Sequence, residues 1–290
     1  MTTPYQQQAP HPQAPRQPAP WTGGPAGGYT SPIPVRRAHL GDALASEWTK
    51  LRSVRSTMWT LGVMIVLVLG IGLLAAVAVS ASEAGIGGDS VLALGFFGVL
   101  LGSICVITLG VLTIASEYGT GMMRTTLTAC PSRARVLGAK SLVFFLLVLV
   151  ITTVTTTVTA ALQTAILDAA APDGADWFRA TFGVGLYVAT LGLLSLAVGA
   201  LVRHSAGAIT IMIGVVLLPL VLALFMYSDS LAGLRDALFE YSIPNQLAVF
   251  YDNTVGPSAG PSGWSPLWIL LGVTAVTMVC AFLVVDKRDV

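Results

Sequence analysis

The sequence predicts an all-α integral membrane protein in which six transmembrane helices follow an N-terminal interfacial amphipathic helix, with both termini cytoplasmic. Three observations predict it. Of 290 residues, 54% are hydrophobic and 10% charged, against about a quarter charged in soluble domains. The apolar residues gather into six stretches, at about 58–80, 92–115, 141–167, 181–202, 206–227 and 266–285, and none contains Asp, Glu, Lys, Arg or His. Each has roughly 20 residues or more, enough to cross about 30 Å of hydrocarbon at 1.5 Å per residue. Thirteen of the fifteen Lys and Arg fall in the N-terminal region, the loop 116–140, the turn at Arg203 and the C-terminus, leaving only Arg179 and Arg235 on the other side. Positive charge collects on the cytoplasmic side, which orients the spans. The acidic residues, nine outside and five inside, agree but carry little weight under that rule.

Residues 1–36 hold nine of the sixteen prolines and five glutamines with almost no aliphatic residues. Such a segment cannot bury enough apolar surface to offset its ordering entropy, so a disordered cytoplasmic tail is expected, ahead of a membrane domain over 37–290. It lacks the charged start, apolar run and cleavage site of a signal peptide.

From Asp42 to Thr57, Leu44, Trp48, Leu51, Val54 and Met58 recur at helical spacing, with Glu47, Lys50, Arg52 and Arg55 distributed around them. Asp42 is the expected N-cap. A basic amphipathic helix running into a span belongs in the headgroup layer, Trp48 at the interface and the cations toward anionic lipid. The alternative is a simple extension of the first span.

Within the spans, small residues predict close helix packing. Gly98 and Gly102 form a GxxxG in the second span, and Gly185, Ala189, Gly192 and Gly199 form a stripe on the fourth. Seven threonines from Thr152 to Thr164 serve either helix packing or a polar path. Pro219 is expected to kink the fifth span. Between Ser228 and Ser265, Leu231, Leu234, Leu238 and Tyr241 share a face opposite Arg235, Asp236 and Glu240, and Leu247, Phe250 and Tyr251 follow Pro244. One or two short helices at the outer surface, or dipping into it, are expected.

Function classes drop out in turn. A net charge of +1 offers no basic excess for a nucleic-acid partner. Cys105, Cys130 and Cys280 show neither metal spacing nor a disulfide framework. Ser195 has no base beside it, since His204 lies about 13 Å further along the same helix. No HExxH or CxxC occurs, and Gly138-Ala139-Lys140-Ser141 lacks phosphate-loop spacing. Spans free of ionisable groups disfavour an ion-driven transporter, which places such groups inside the membrane. No catalytic, cofactor or metal site is therefore expected in this chain. Arginine outnumbers lysine twelve to three, a bias typical of GC-rich bacterial genomes, which points to a bacterial cell membrane.

The run SEWTKLRSVRSTMWTL, Ser46 to Leu61, resembles the interfacial helix and first span of bacterial ATP-binding-cassette (ABC) permeases of the type-2 exporter family. The run SEYGTGMMRTTLTACPSRARVLGAK, Ser116 to Lys140, resembles the cytoplasmic loop between their second and third spans. YSIPNQLAVF, Tyr241 to Phe250, and the terminal Asp286-Lys287-Arg288-Asp289 are weaker likenesses. With the span count, the resemblance covers residues 40–290. It implies a permease subunit of an ATP-driven exporter that pairs with a second permease copy or a paralogue and binds an ABC ATPase subunit, which holds ATP and Mg. It also implies a short coupling helix near Gly119–Thr128, for which Met122, Met123 and Leu127 supply an apolar patch with Arg124 beside it; Glu117 is a further contact. The rivals are a secondary transporter or channel, and a membrane scaffold using the proline-rich tail. Membrane lipid is the surrounding partner. A charge-free interior tilts the cargo toward lipophilic or amphipathic molecules.

Overall fold

The computed structural model describes residues 39–82, 90–129, 132–253 and 260–287. The proline-rich tail, Cys130, Arg288 and Asp289 lie outside these residues. Every element among the described residues is helical: α1 (Leu40–Ser53), α2 (Arg55–Ala81), α3 (Phe96–Gly119), α4 (Met122–Ala129), α5 (Arg133–Ile166), α6 (Gly174–Phe178), α7 (Val184–Val202), α8 (Ser205–Leu224), α9 (Ala232–Glu240), α10 (Ile243–Ala248) and α11 (Ser265–Lys287). A 3-10 turn, Val91–Gly95, leads into α3, and a π-helical turn, Arg179–Gly183, joins α6 to α7. Six helices are long and apolar enough to cross a membrane: α2, α3, α5, α7 with its lead-in, α8 and α11. The fold is that of an all-α multi-pass membrane protein.

The helices outrun the apolar stretches that predict them. α5 starts eight residues before position 141, and α3 continues to Gly119. Lys140 and Glu117 are consequently helical residues within the bundle rather than loop charges. α8 runs through Pro219 and stops at Leu224, three residues short of the expected end.

Successive spans alternate in direction. At one end of the bundle, Arg133 at the start of α5 donates to the Val285 carbonyl late in α11 at 2.9 Å. Toward the other end, Gln163 of α5 donates to the Gly72 carbonyl of α2 at 3.0 Å. α1 and α4 belong to the first end; α6, α9 and α10 belong to the second.

α7 is the central post, with 78% of its apolar window buried against 22% for α2, α8 and α11. Its small-residue stripe is the reason. A Cβ on Gly192 would stand 2.8 Å from Phe144 and 2.9 Å from Val106, and one on Gly199 would stand 3.1 Å from Val111 and Ile114. Gly185 abuts Thr153. On α3, Gly110 meets the Gly192 carbonyl and Gly98 meets the Val68 carbonyl of α2, with Gly102 against the Val68 side chain. Backbones approach closely where side chains are missing, and dispersion between helices replaces the hydrophobic drive that lipid cannot supply.

Three of the seven α5 threonines pack with their hydroxyls satisfied. Thr155, Thr156 and Thr159 are buried and donate to carbonyls one turn back in their own helix, at 2.7, 2.9 and 2.8 Å. A hydroxyl satisfied in this way enters an apolar interface without an open donor.

One local expectation is corrected, and one open alternative is resolved. Asp42 is not the N-cap of α1: the helix begins earlier, and the Asp42 carboxylate accepts from the His39 amide at 3.0 Å. Of the two alternatives for the 228–265 segment, α10 takes the one that dips in, since Ser242 through Tyr251 are all buried. This segment enters the bundle with its polar groups satisfied, as irregular backbone away from water must be. Ser242 caps the Asn245 amide at 3.3 Å, Gln246 donates to the Tyr241 carbonyl at 3.0 Å, and the Tyr187 hydroxyl donates to Gln246 Oε1 at 3.3 Å. Tyr187, Phe250 and Trp264 surround it with ring centroids 5.5 and 6.0 Å apart. The apolar residues Leu231, Leu234 and Tyr241, by contrast, point away from the chain.

Candidate functional site

Among the described residues, the α1 end of the bundle carries the most heavily buried charges. α1 and α2 are separate helices, since Val54 between them adopts an extended conformation (φ −81°, ψ 114°). That single break lets α1 fold against α5, turning Ala43, Glu47 and Leu51 inward. Glu47, expected on the polar face, is 3% exposed, Glu117 near the end of α3 is 5% exposed, and Lys140 of α5 is 2% exposed.

These groups close a network. Lys140 Nζ donates to Glu47 Oε2 at 2.6 Å and to Glu117 Oε1 at 2.9 Å. Lys50, one turn after Glu47 on α1, donates to Glu47 Oε1 at 2.7 Å and to Glu117 Oε1 at 3.1 Å. It also reaches Thr126 Oγ1 of α4 at 3.4 Å. Two carboxylates and two ammoniums leave the quartet neutral; three helices, α1, α3 and α5, supply it, and α4 touches it through Thr126. Charges desolvated to this degree persist only when paired and hydrogen-bonded. Burial alone would lower the Lys50 pKa; its hydrogen bond to Glu47 and the charges of Glu117 and Glu47 outweigh it, leaving the ammonium above the ordinary 10.5.

α4 hangs from this network. α3 ends in a turn where Gly121 takes φ +71°, a conformation that glycine adopts without strain. The chain then reverses into α4, as expected for a short helix near Gly119–Thr128. Met122 and Arg124 are exposed, Leu127 is half-buried, and Met123 is 2% exposed. Met123 therefore packs inside this chain, which corrects the expectation of a three-residue apolar patch: the outward face is Met122, Arg124, Thr125 and Thr128, with Leu127 at its edge.

Trp48 is exposed on α1, as are Arg52 and, at the start of α2, Arg55. Lys50 separates from these interfacial residues by turning into the quartet. Glu117 pairs with the two lysines. Nearby, the Arg203 guanidinium sits 4.9 Å from the Tyr118 ring centroid, linking the α7–α8 turn to the end of α3.

Beside the quartet lies a cleft of about 390 Å³ between the α1–α2 junction and α3. Glu47, Lys50, Glu117 and Lys140 line one part of it, Ser53, Ser56, Thr57, Thr60, Thr113 and Ser116 supply hydroxyls, and Leu51, Val54, Leu109 and Leu112 supply apolar wall. Glu117 Oε2 is buried without a hydrogen-bond partner.

Sequence reasoning assigned Lys50 to the headgroup layer and counted Lys140 only as a loop cation. A signal was present in the latter: Lys140 is flanked by Leu137 and Ala139 before it and by Leu142, Val143 and Phe144 after it. A lysine with apolar residues on both sides needs a carboxylate partner if the helix continues through it.

No protein-family model matches this chain, and no curated protein matches it.

Proposed function

We propose that this chain is the membrane-spanning subunit of an ATP-driven exporter of the ABC type, oriented with both termini and the α1–α4 end in the cytoplasm. The observation that carries the reading is the mounting of α4. It presents an outward face of Met122, Arg124, Thr125 and Thr128, while Thr126 on its other side contacts the Lys50 ammonium that also bonds Glu47 and Glu117. A push on such a helix is felt by α1, α3 and α5 together, as a contact that converts ATPase movement into helix movement requires. The thirteen-to-two distribution of basic residues supports a cytoplasmic position for that end, where nucleotide is available. The resemblance of Ser46–Leu61 and Ser116–Lys140 to type-2 exporter permeases supports the same assignment. The ATPase, with its ATP and Mg, is a separate subunit, and a second permease copy or paralogue completes the transport path.

The test follows from burial. Met123 is the wrong residue to change, because a carboxylate there would unfold the chain's own packing. Arg124→Glu and Thr128→Asp alter the outward face, away from the cleft that Met122 helps to line. Together they are expected to reduce co-purification of a Walker A-containing ATPase about tenfold or more, since a desolvated contact gains unpaired charge. Insertion and thermal stability should stay at wild-type levels. A variant that retains the ATPase and its stimulation as well as wild type sinks the coupling assignment. Transport that follows a proton gradient and ignores ATP would favour the secondary-transporter reading instead.

A further inference from the structure

We propose that the cleft beside the charged quartet binds the headgroup of an aminophospholipid, its primary ammonium on Glu117 and its phosphate on Lys50. The starting observation is an imbalance inside an otherwise paired network. Glu117 Oε1 accepts from two lysines, whereas Oε2, on a side chain 95% removed from solvent, accepts from nothing. A buried acceptor without a donor is costly, and more so when charged. Glu117 lines the cleft; Oε2 itself is closed to solvent, so a donor entering there reaches it with a small shift of the side chain.

The other groups in the cleft narrow the donor's chemistry. Lys50 is the more accessible of the two lysines, its side chain 31% exposed against 2% for Lys140, and Ser53 and Ser56 lie on the same wall. An ammonium and adjacent hydroxyls suit a phosphate oxygen. Leu51, Val54, Leu109 and Leu112 then offer apolar surface to the first part of an acyl chain. The quartet is neutral, so a zwitterionic headgroup leaves it neutral. An anionic lipid would add negative charge beside two buried carboxylates, and a choline headgroup has no N–H to give Oε2. The position agrees: Trp48, exposed on the neighbouring helix, is the residue type that settles at headgroup depth. This inference needs the membrane-spanning fold and is independent of the ATPase-coupled reading.

The experiment uses the full chain in detergent, titrated with short-chain phosphatidylethanolamine, phosphatidylcholine or phosphatidylglycerol, with thermal unfolding as the readout. Phosphatidylethanolamine should raise the unfolding temperature with an apparent affinity about tenfold above the other two, the scale of one charge-assisted hydrogen bond. Glu117→Gln removes the charge that selects ammonium and should abolish the preference. Because Glu117 also holds the quartet, Ser116→Trp provides a second arm: it fills the mouth of the cleft from an exposed position and leaves the ion pairs in place. Phosphatidylethanolamine stabilisation should vanish there too. Equal binding of the three lipids overturns the proposal, as does a preference that survives Ser116→Trp. Stronger stabilisation by octylamine than by phosphatidylethanolamine overturns it as well, by showing that the phosphate contributes nothing.

Discussion

Lys140 sits between Glu47 and Glu117 with 2% of its surface exposed, so its charge is held by two carboxylates rather than by water. Removing it leaves two buried carboxylates sharing the single ammonium of Lys50. Lys140→Met is therefore expected to destabilise the protein by about 3–5 kcal/mol, the usual cost of breaking a buried pair from one side. The double variant Lys140→Met/Glu47→Leu should cost less than the sum of the singles, and equal sums in detergent unfolding would show that the 2.6 Å contact carries no coupling. Lys50 differs because it reaches solvent. Its pKa is raised above 10.5, so the stability it contributes is fully present below 10.5 and is lost as pH rises through the higher folded value. The difference in unfolding temperature between wild type and Lys50→Gln should thus be flat from about pH 7 to 10 and shrink only above that. A difference that already falls between pH 7 and 9 would contradict the raised value.

At the scale of elements, the glycines divide into those that set helix spacing and those that do not. Gly192 on α7 would place a Cβ within 3 Å of both Phe144 and Val106, whereas Gly70 on α2 and Gly214 on α8 meet nothing within 4 Å. Gly192→Ala should cost about 1–3 kcal/mol through overpacking. Gly70→Ala and Gly214→Ala should be neutral or stabilising by up to about 1 kcal/mol, from helix propensity alone. Similar losses at all three sites in thermal unfolding would remove α7 from its role as the central post. The α7 stripe was legible in the sequence because small residues repeat at helical spacing, and the six spans were legible because each is a long apolar run. The inward turn of Glu47 was not, and the burial of α10 was legible only as one of two alternatives. Both depend on partners far along the chain: Glu47 on Lys140, 93 residues away, and Gln246 on Tyr187, 59 residues away. A helical pattern places Glu47 on a polar face, and nothing local says that the polar face looks into a bundle. For α4 the resemblance implied a helix within a few residues of the one found but not its roll, which decides that Met123 goes inward and Met122 outward.

For the whole molecule, orientation is the property that every functional reading shares, and it rests on charge. Six spans with alternating direction put α4 and α9 on opposite sides of the bilayer whichever way the chain inserts. The two orientations differ by which side receives thirteen basic residues and which receives Arg179 and Arg235. Even those two are partly neutralised: Arg179 contacts Asp176 and Asp252, and Arg235 contacts Asp236. Because Lys and Arg near span ends decide topology, the α4 side is expected to be cytoplasmic by a wide margin. With Cys105, Cys130 and Cys280 replaced, single cysteines at Thr128 on α4 and Ser230 before α9, both exposed, make the margin measurable. In intact cells an impermeant maleimide should label Ser230→Cys and spare Thr128→Cys, and in inverted vesicles the pattern should reverse. Labelling of Thr128→Cys from outside intact cells would place α4 beyond the reach of any cytoplasmic ATPase, ending the exporter reading while leaving the six-helix fold and the lipid cleft untouched.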